Sequence, residues 1–403
     1  MNFEHGTVDE NPKTDTNYVR CVRDPLNFAP FIDAGDDITR AVGTIISLNG
    51  SAEDPEGDAL IINWSIISKP ADSASELVDS DTLTPTLTLD VIGNYEVELS
   101  VSDGIVSNTD IVSIYALTLP DTGQTQSYTD TYGEDSDYTI NAPSYTINYD
   151  TEGNEDGTIT DNNTGLIWEK EFTDDEYDWS DAATHCETLT LANKTDWRLP
   201  NTRELFSIVN YGKYSPAIDE SYYSDIISYS SSHWASDEYQ GNTVYAWDVN
   251  FQYGDVDEND KTDGNYVRCV RGAEPVYDDY TDNGDGTVTD HVTGLIWQQA
   301  DDDIRRDWEN ALSYCEGLTL GGHSDWRLPD IRELESIVDR DTYSPAINTS
   351  YFSGTDHHYY WSSTTYYAGD TYYAWLVYFY IGDVSFLLNK TYNCYVRCVR
   401  GGQ

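Results

Sequence analysis

The residues with chemistry in this chain are six cysteines, seven histidines and an excess of carboxylates. Cys186 and Cys269 stand 83 positions apart, and Cys315 and Cys398 repeat that spacing. The equal spacing predicts two disulfides, with buried free thiols as the alternative. A bond closing so long a loop adds about 4 kcal/mol by the chain-entropy argument. Structural disulfides belong to oxidising, extracytoplasmic compartments. Cys21 and Cys394 are left over. One reading pairs them between neighbouring molecules, which would give a covalent head-to-tail chain. The other leaves both as orphan thiols in a piece of a longer repeat protein.

The carboxylates raise the question of metal. "EDPEGD" sets Asp54, Glu56 and Asp58 at alternate positions of a turn, and "VSDG" adds Asp103. Such hard oxygens suit Ca²⁺, the one cofactor the pattern admits, and they equally make an ordinary acidic turn. "EGNEDG" and "DNGDG" lack the glutamate of a calcium loop and read as hairpin turns. The histidines show no ligand spacing, and His357 and His358 are adjacent. No Gly-rich phosphate loop precedes a helix, and there is no nucleophile elbow. The chain therefore reads as non-enzymatic.

Tyrosine is the other abundant functional residue, with 33 copies. Its large face and polar tip suit ligand contact at low entropic cost. Candidate ligand residues are Tyr222, Tyr223, Tyr229, Trp234 and Tyr239, and then Tyr359, Tyr360, Tyr366, Tyr367, Tyr372 and Tyr373. Some must instead fill the core, as Trp361 and Trp375 are expected to do. The balance of 21 basic to 73 acidic residues gives a formal charge of -52. Such a surface repels nucleic acid and anionic membranes. No apolar run is long enough to span a bilayer. "MNFEHGTVDENPK" has neither the basic head nor the apolar core of a signal peptide.

Internal repetition organises these residues. "GTITDNNTGLIWEK" at 157–170 matches "GTVTDHVTGLIWQQ" at 286–299, and "TDWRLPNTRELFSIV" at 195–209 matches "SDWRLPDIRELESIV" at 324–338. The offset is 129 residues, from Gly157 to Gly286. Two homologous copies are expected at 148–272 and 277–401. Residues 1–24 form a third, partial copy, because "NFEHGTVDENPKTDTNYVRCVRD" aligns without a gap on 250–272. Residues 27–117 alternate apolar and polar residues between Gly, Asp and Pro turns, as in "YEVELSVSD", and predict an antiparallel β-sandwich. Residues 118–147 lack periodicity and read as a linker, with at most one strand.

Each full copy predicts a hairpin, a buried "TGLIW" strand, two helices, a long loop-rich β region and a closing "YVRCVR" strand. The first helix carries Trp, Ala and Cys at helical spacing. The second opens on a capping box, Asn201 with Glu204 or Asp330 with Glu333. Arg198, Arg327 and the "YVRCVR" arginines are expected to pair with carboxylates or carbonyls.

The motifs "DGTVTDHVTGLIWQ", "DWRLPDIREL", "YWSSTTY", "YAWLVYF" and "YVRCVRG" resemble the DUF1566 family, also called the Legionella collagen-like protein C-terminal (Lcl_C) domain. The resemblance implies an α+β C-type-lectin-like fold for both copies, related to that of formylglycine-generating enzymes. It also implies a secreted or cell-surface protein, often adhesive. Formylglycine chemistry uses site cysteines, whereas these already have structural partners. "AGDDITRAVGTIISLNGSAEDPEGDALIINWSI" and "GNYEVELSVSDG" resemble PKD-like, immunoglobulin-type spacer domains of bacterial surface proteins. Binding to sulfated polysaccharides, proposed for the family's namesake, is not carried over, since a chain at -52 repels polyanions.

The expectation is an extracellular or cell-surface protein that binds a glycan or protein ligand, serves adhesion, and neither inserts into membranes nor binds nucleic acid. The alternative is a structural subunit of an extracellular filament, built by head-to-tail packing.

Overall fold

The computed structural model describes residues 27–138, 140–171, 175–223, 232–366 and 371–401. The partial copy at 1–24 lies outside these residues. The described chain is mostly β-sheet with four short α-helices.

Residues 31–117 form nine strands: β1 (Phe31–Asp33), β2 (Ile38–Ala41), β3 (Ile45–Ser47), β4 (Ser51–Glu53), β5 (Ile61–Ser68), β6 (Leu77–Val78), β7 (Thr86–Thr88), β8 (Gly93–Ser102) and β9 (Ser107–Leu117). One sheet orders β2-β9-β8-β5 and another β3-β7-β6, while β1 pairs with β4. In β8 the alternation read from "YEVELSVSD" becomes alternating burial, with Tyr95, Val97, Leu99 and Val101 turned inward. These pack with Trp64, Leu48 and Leu89 between the sheets. This is the expected sandwich, but not wholly antiparallel, because the edge strand β2 pairs parallel to β9.

The first copy comprises β10 (Tyr145–Tyr149), β11 (Glu155–Asp161), β12 (Ile167–Glu169), α1 (Trp179–Thr188), α2 (Thr202–Ser207), β13 (Ser232–Glu238), β14 (Tyr245–Asn250), β15 (Asp255–Asp260) and β16 (Val270–Arg271). The second repeats it as β17 (Tyr280–Asp282), β18 (Thr287–Asp290), β19 (Ile296–Gln298), α3 (Trp308–Glu316), α4 (Ile331–Ser336), β20 (Tyr359–Thr365), β21 (Ala374–Tyr378), β22 (Asp383–Ser385) and β23 (Val399–Arg400). In both copies the two hairpin strands, the "LIW" strand and the closing strand make a four-stranded sheet. Helices α1 and α3 are N-capped by Asp178 and Asp307, and the capping boxes at Asn201 and Asp330 form in full.

The copies are not beads on a string. Their second sheets join through Val256 and Val384 into one six-stranded sheet ordered β13-β14-β15-β22-β21-β20. Helices α2 and α4 touch, and a single core runs through both copies. The join has pseudo-twofold symmetry. Arg203 of α2 donates to the carbonyl of Val338, and the equivalent Arg332 of α4 donates to the carbonyl of Val209. Each copy thus meets the other with the same patch, as in an isologous dimer.

The segment expected as a linker is instead packed structure. Thr122, Gln124, Glu134 and Asp135 are buried, a short 3-10 helix spans Asp135–Asp137, and β10 begins at Tyr145, before the expected boundary at 148. The sandwich is also docked. Arg40 pairs with Asp279 at 2.5 Å, the Val276 amide donates to Thr39 Oγ1 at 2.7 Å, and the Tyr115 hydroxyl donates to the Thr164 carbonyl.

Candidate binding surfaces

The cysteines settle first. Cys186 is bonded to Cys269 and Cys315 to Cys398, each with Cα atoms 5.5 Å apart, tying the first helix to the residue before the closing strand. Cys394 is free and only 2 % exposed, enclosed with Trp308 and Trp361. Burial pushes its thiol up to about 12. That corrects the expected bridge from Cys394 to Cys21 of a neighbour, because the thiol is walled off from solvent and held protonated. Cys21 lies outside the described residues.

The arginines of the repeated motifs serve structure. Arg198 forks onto Glu204, with contacts of 2.7 and 2.5 Å, and Arg327 onto Glu333 at 2.5 Å, so each capping-box glutamate is also an ion-pair partner. Arg268 and Arg397, both fully buried, donate to the carbonyls of Glu169 and Gln298.

The acidic quartet does not assemble. Asp54 Oδ1 accepts from the amides of Glu56 and Asp58, both at 2.9 Å. Asp103 accepts from the amides of Ile105 and Val106 and from Asn27. Asp54 and Asp103 act as turn formers, although Asp54 Oδ2 is buried without a hydrogen-bond partner among the described residues. Among the described residues, the one group of three whose ligand atoms lie within 4.8 Å is Glu169, His185 and Cys269. Cys269 is in a disulfide, so its sulfur is no metal ligand. Asp54, Glu56, Asp58 and Asp103, expected as a calcium site, do not bring three ligand atoms within 4.8 Å of one another among the described residues.

The tyrosine candidates divide. Tyr223, Trp234 and Tyr360 are fully buried, which corrects their assignment as ligand contacts. Trp234 Nε1 donates to the Tyr177 carbonyl at 2.8 Å, and the Tyr360 hydroxyl donates to Asp301. Tyr222 packs at a tilt against Tyr145, and Tyr359 stacks on Tyr378 with centroids 4.3 Å apart. Tyr239 and Tyr366 occupy equivalent positions on the inter-copy seam. Tyr239 meets Tyr343 of the second copy, and Tyr366 meets Tyr214 of the first. They bind the other half of their own chain. Tyr373 bridges to Asn389, and Tyr372 is 71 % exposed. Tyr229 and Tyr367 lie outside the described residues.

Two open surfaces remain. On the second copy, Tyr372 and Tyr392 flank the turn at Asn389–Lys390, where the Lys390 amide donates to the Tyr372 carbonyl and the Tyr392 amide to that of Asn389, both at 2.8 Å. Arg305, Thr391, Tyr392 and Asn393 line an open depression of about 440 Å³. The sequence reading missed Arg305 and Tyr392. The available signal was asymmetry between the copies, since Glu176 and Asp263 hold these places in the first. The second surface is a polar cleft of about 250 Å³ between the copies, beside Arg203 and Arg340.

The family model described as "Lcl C-terminal domain" matches residues 157–271 and 286–400, more than half of the chain. No curated protein matches. Among solved structures, the PKD domain of human KIAA0319 is 18 % identical, covering 25 % of this chain and 91 % of that one, with a TM-score of 0.21. Human protocadherin-24 EC1-2 is 19 % identical, covering 35 % and 77 %, at 0.18. A SusE-like surface located polysaccharide binding protein of Bacteroides thetaiotaomicron is 12 % identical, covering 35 % and 28 %, also at 0.18. At such scores these likenesses carry no argument.

Proposed function

We propose, from the premise that this chain belongs to the Lcl C-terminal domain family, that it is a non-enzymatic extracellular or cell-surface protein that binds a glycan or protein ligand in adhesion. Each copy is read as a C-type-lectin-like domain, with two helices, a disulfide-closed sheet and a second sheet bearing long loops. The observation that carries the reading is the exposed Tyr392 beside Arg305 on the second copy, with exposed Tyr372 across the Asn389–Lys390 turn. Exposed aromatic rings next to a guanidinium supply stacking faces and hydrogen-bond donors without catalytic groups. Two disulfides support the extracellular setting, and no helix of the described residues is long and apolar enough to cross a membrane.

The test is a glycan and protein array probed with the intact protein, with and without Ca²⁺, alongside Tyr372→Ala and Tyr392→Ala. A hit weakened about tenfold by either substitution supports the reading. A blank array, or hits indifferent to both substitutions, overturns it. The alternative, a subunit of an extracellular assembly by non-covalent head-to-tail packing, rests on the docked sandwich, which makes the described domains one building block. Concentration-dependent polymers in electron micrographs would favour it.

A further inference from the structure

The pseudo-twofold axis creates two equivalent clefts between the copies, and only one is filled. The filled cleft lies between Val209–Gly212 of the first copy and the starts of α4 and the end of β20 in the second. The segment at 121–124 crosses it. Arg332 Nη1 donates to the Asp121 carbonyl at 2.6 Å, and the Tyr211 amide donates to the Thr122 carbonyl at 2.8 Å. Gly123 presses on Gly212 so closely that a Cβ there would lie 2.2 Å from the Gly123 oxygen. Gln124 imitates a strand with its side chain, Nε2 donating to the Thr365 carbonyl at 2.8 Å and Oε1 accepting from the Thr365 amide at 3.0 Å. Two acids complete the plug. Thr364 and Thr365 donate to Asp135 and Glu134, both at 2.6 Å.

The other cleft is open. It is lined by Arg203, Asp237, Glu274, Asp278, Arg340 and Asp341, among others, around about 250 Å³. Its backbone frame is the same: the Asp341 amide donates to Asp339 Oδ1 at 3.0 Å as the Gly212 amide does to Asn210 Oδ1. The Arg340 amide, equivalent to that of Tyr211, has no acceptor among the described residues. The side chains are inverted in charge. Where the filled cleft offers Thr364 and Thr365 to acids of the plug, this one carries Asp237, which accepts from the Thr202 amide and hydroxyl, and Asp341 stands in place of Gly212. Both arginines are engaged within the protein, Arg203 by the Val338 carbonyl and Asp278, and Arg340 by Glu335 and the Gly382 carbonyl. Five carboxylates, Asp237, Glu274, Asp278, Asp339 and Asp341, line the cleft against these two arginines, so its net charge is negative.

We infer that the open cleft is a docking groove for an extended, lysine- or arginine-bearing peptide of another protein, received as the 121–124 segment is received on the opposite side. The filled cleft shows that this frame takes a peptide by backbone hydrogen bonds, and the reversed side chains set its charge. An acidic segment like the chain's own plug is excluded by like-charge repulsion.

The experiment is calorimetric titration of the intact, disulfide-bonded protein with two synthetic octapeptides. One is residues 119–126, LPDTGQTQ, and the other is its basic counterpart LPKTGQTK. The basic peptide should bind with strong salt dependence and the acidic one should not. Glu274→Lys with Asp341→Lys, both at exposed positions, should weaken binding about tenfold or more. Tyr392→Ala should leave it unchanged, which separates this groove from the aromatic face. No binding of the basic peptide, binding indifferent to the double substitution, or equal binding of both peptides would overturn the inference. So would competition by Ca²⁺ at a ratio showing that the groove holds the ion instead.

Discussion

The two copies share a scaffold and differ at the strands that fuse them. In the second copy β21 presents Leu376, Phe386 and Leu387 follow β22, and Phe386 stacks flat on Tyr366 at 4.0 Å and edge-on to Trp375 at 5.0 Å. In the first copy the same places hold Asp248, Glu258 and Asn259. Asp248 is buried, bonded to Asn259 at 2.5 Å, and burial pushes its carboxyl up to about 7. Burial and the neighbouring Asp257 carry Glu258 to about 7 as well, and Asp255 rises to about 6. The positions of Leu376 and Phe386 are therefore filled by apolar packing in one copy and by carboxylates raised towards neutrality in the other, while Asp255 and its counterpart Asp383 are both raised by burial. The lesson is that backbone pairing and caps set this architecture, while seam chemistry is free to become pH-sensitive.

That comparison can be broken first at the features both copies share. Replacing Cys186 and Cys269, or Cys315 and Cys398, by alanine should cost about 4 kcal/mol in either copy, because the closed loops are equally long. Urea denaturation of the two variants would check it, and a large inequality would show that the copies lean on their disulfides differently. The reciprocal arginines should be unequal. Arg332→Ala strands the carbonyls of Asp121 and Val209 in a filled cleft and should cost about 3 kcal/mol. Arg203→Ala opens onto a cleft that water can enter and should cost about half of that.

The seam itself gives a smaller effect with a definite sign. A carboxyl raised by burial leaves full stability below its ordinary range near pH 4. That stability falls as pH rises towards the folded value near 7, because the unfolded chain ionises first. Asp248→Leu, installing the residue of the second copy, should therefore stabilise by about 2 kcal/mol at pH 8 and flatten the pH dependence between 4 and 7. Melting temperatures across that range would show it. The equivalent Leu376→Asp should do the reverse. The smallest effect concerns Cys394, which takes the place of Asn265. Native protein should resist iodoacetamide at this thiol and label only on unfolding, read by mass spectrometry.

Much of the second-copy and first-copy architecture was legible because its signals are local. Repetition at fixed offset, a capping box before an apolar run, alternation in β8 and paired cysteine spacing each act within a turn or a strand or reappear identically. The candidate site was less legible. Exposed and buried tyrosines look alike in sequence: Tyr360 and Tyr372 belong to one aromatic-rich stretch, yet one is in the core and the other is the most exposed tyrosine of the face. The acidic turn at Asp54 likewise reads as a metal loop until its oxygens are seen to hold amides of its own turn.

By itself, then, the sequence determined the repeats, the sandwich, the helix starts and the disulfide partners, since all rest on short-range patterns or equal spacing. Tertiary structure alone decided that the copies fuse through Val256 and Val384, that residues 121–135 plug one of two equivalent clefts, and that Cys394 is buried. The physical reason is that these depend on which surfaces meet. Pairing of distant strand edges, burial of a thiol and vacancy of a groove are set by packing between segments far apart in the chain, and no local pattern encodes them.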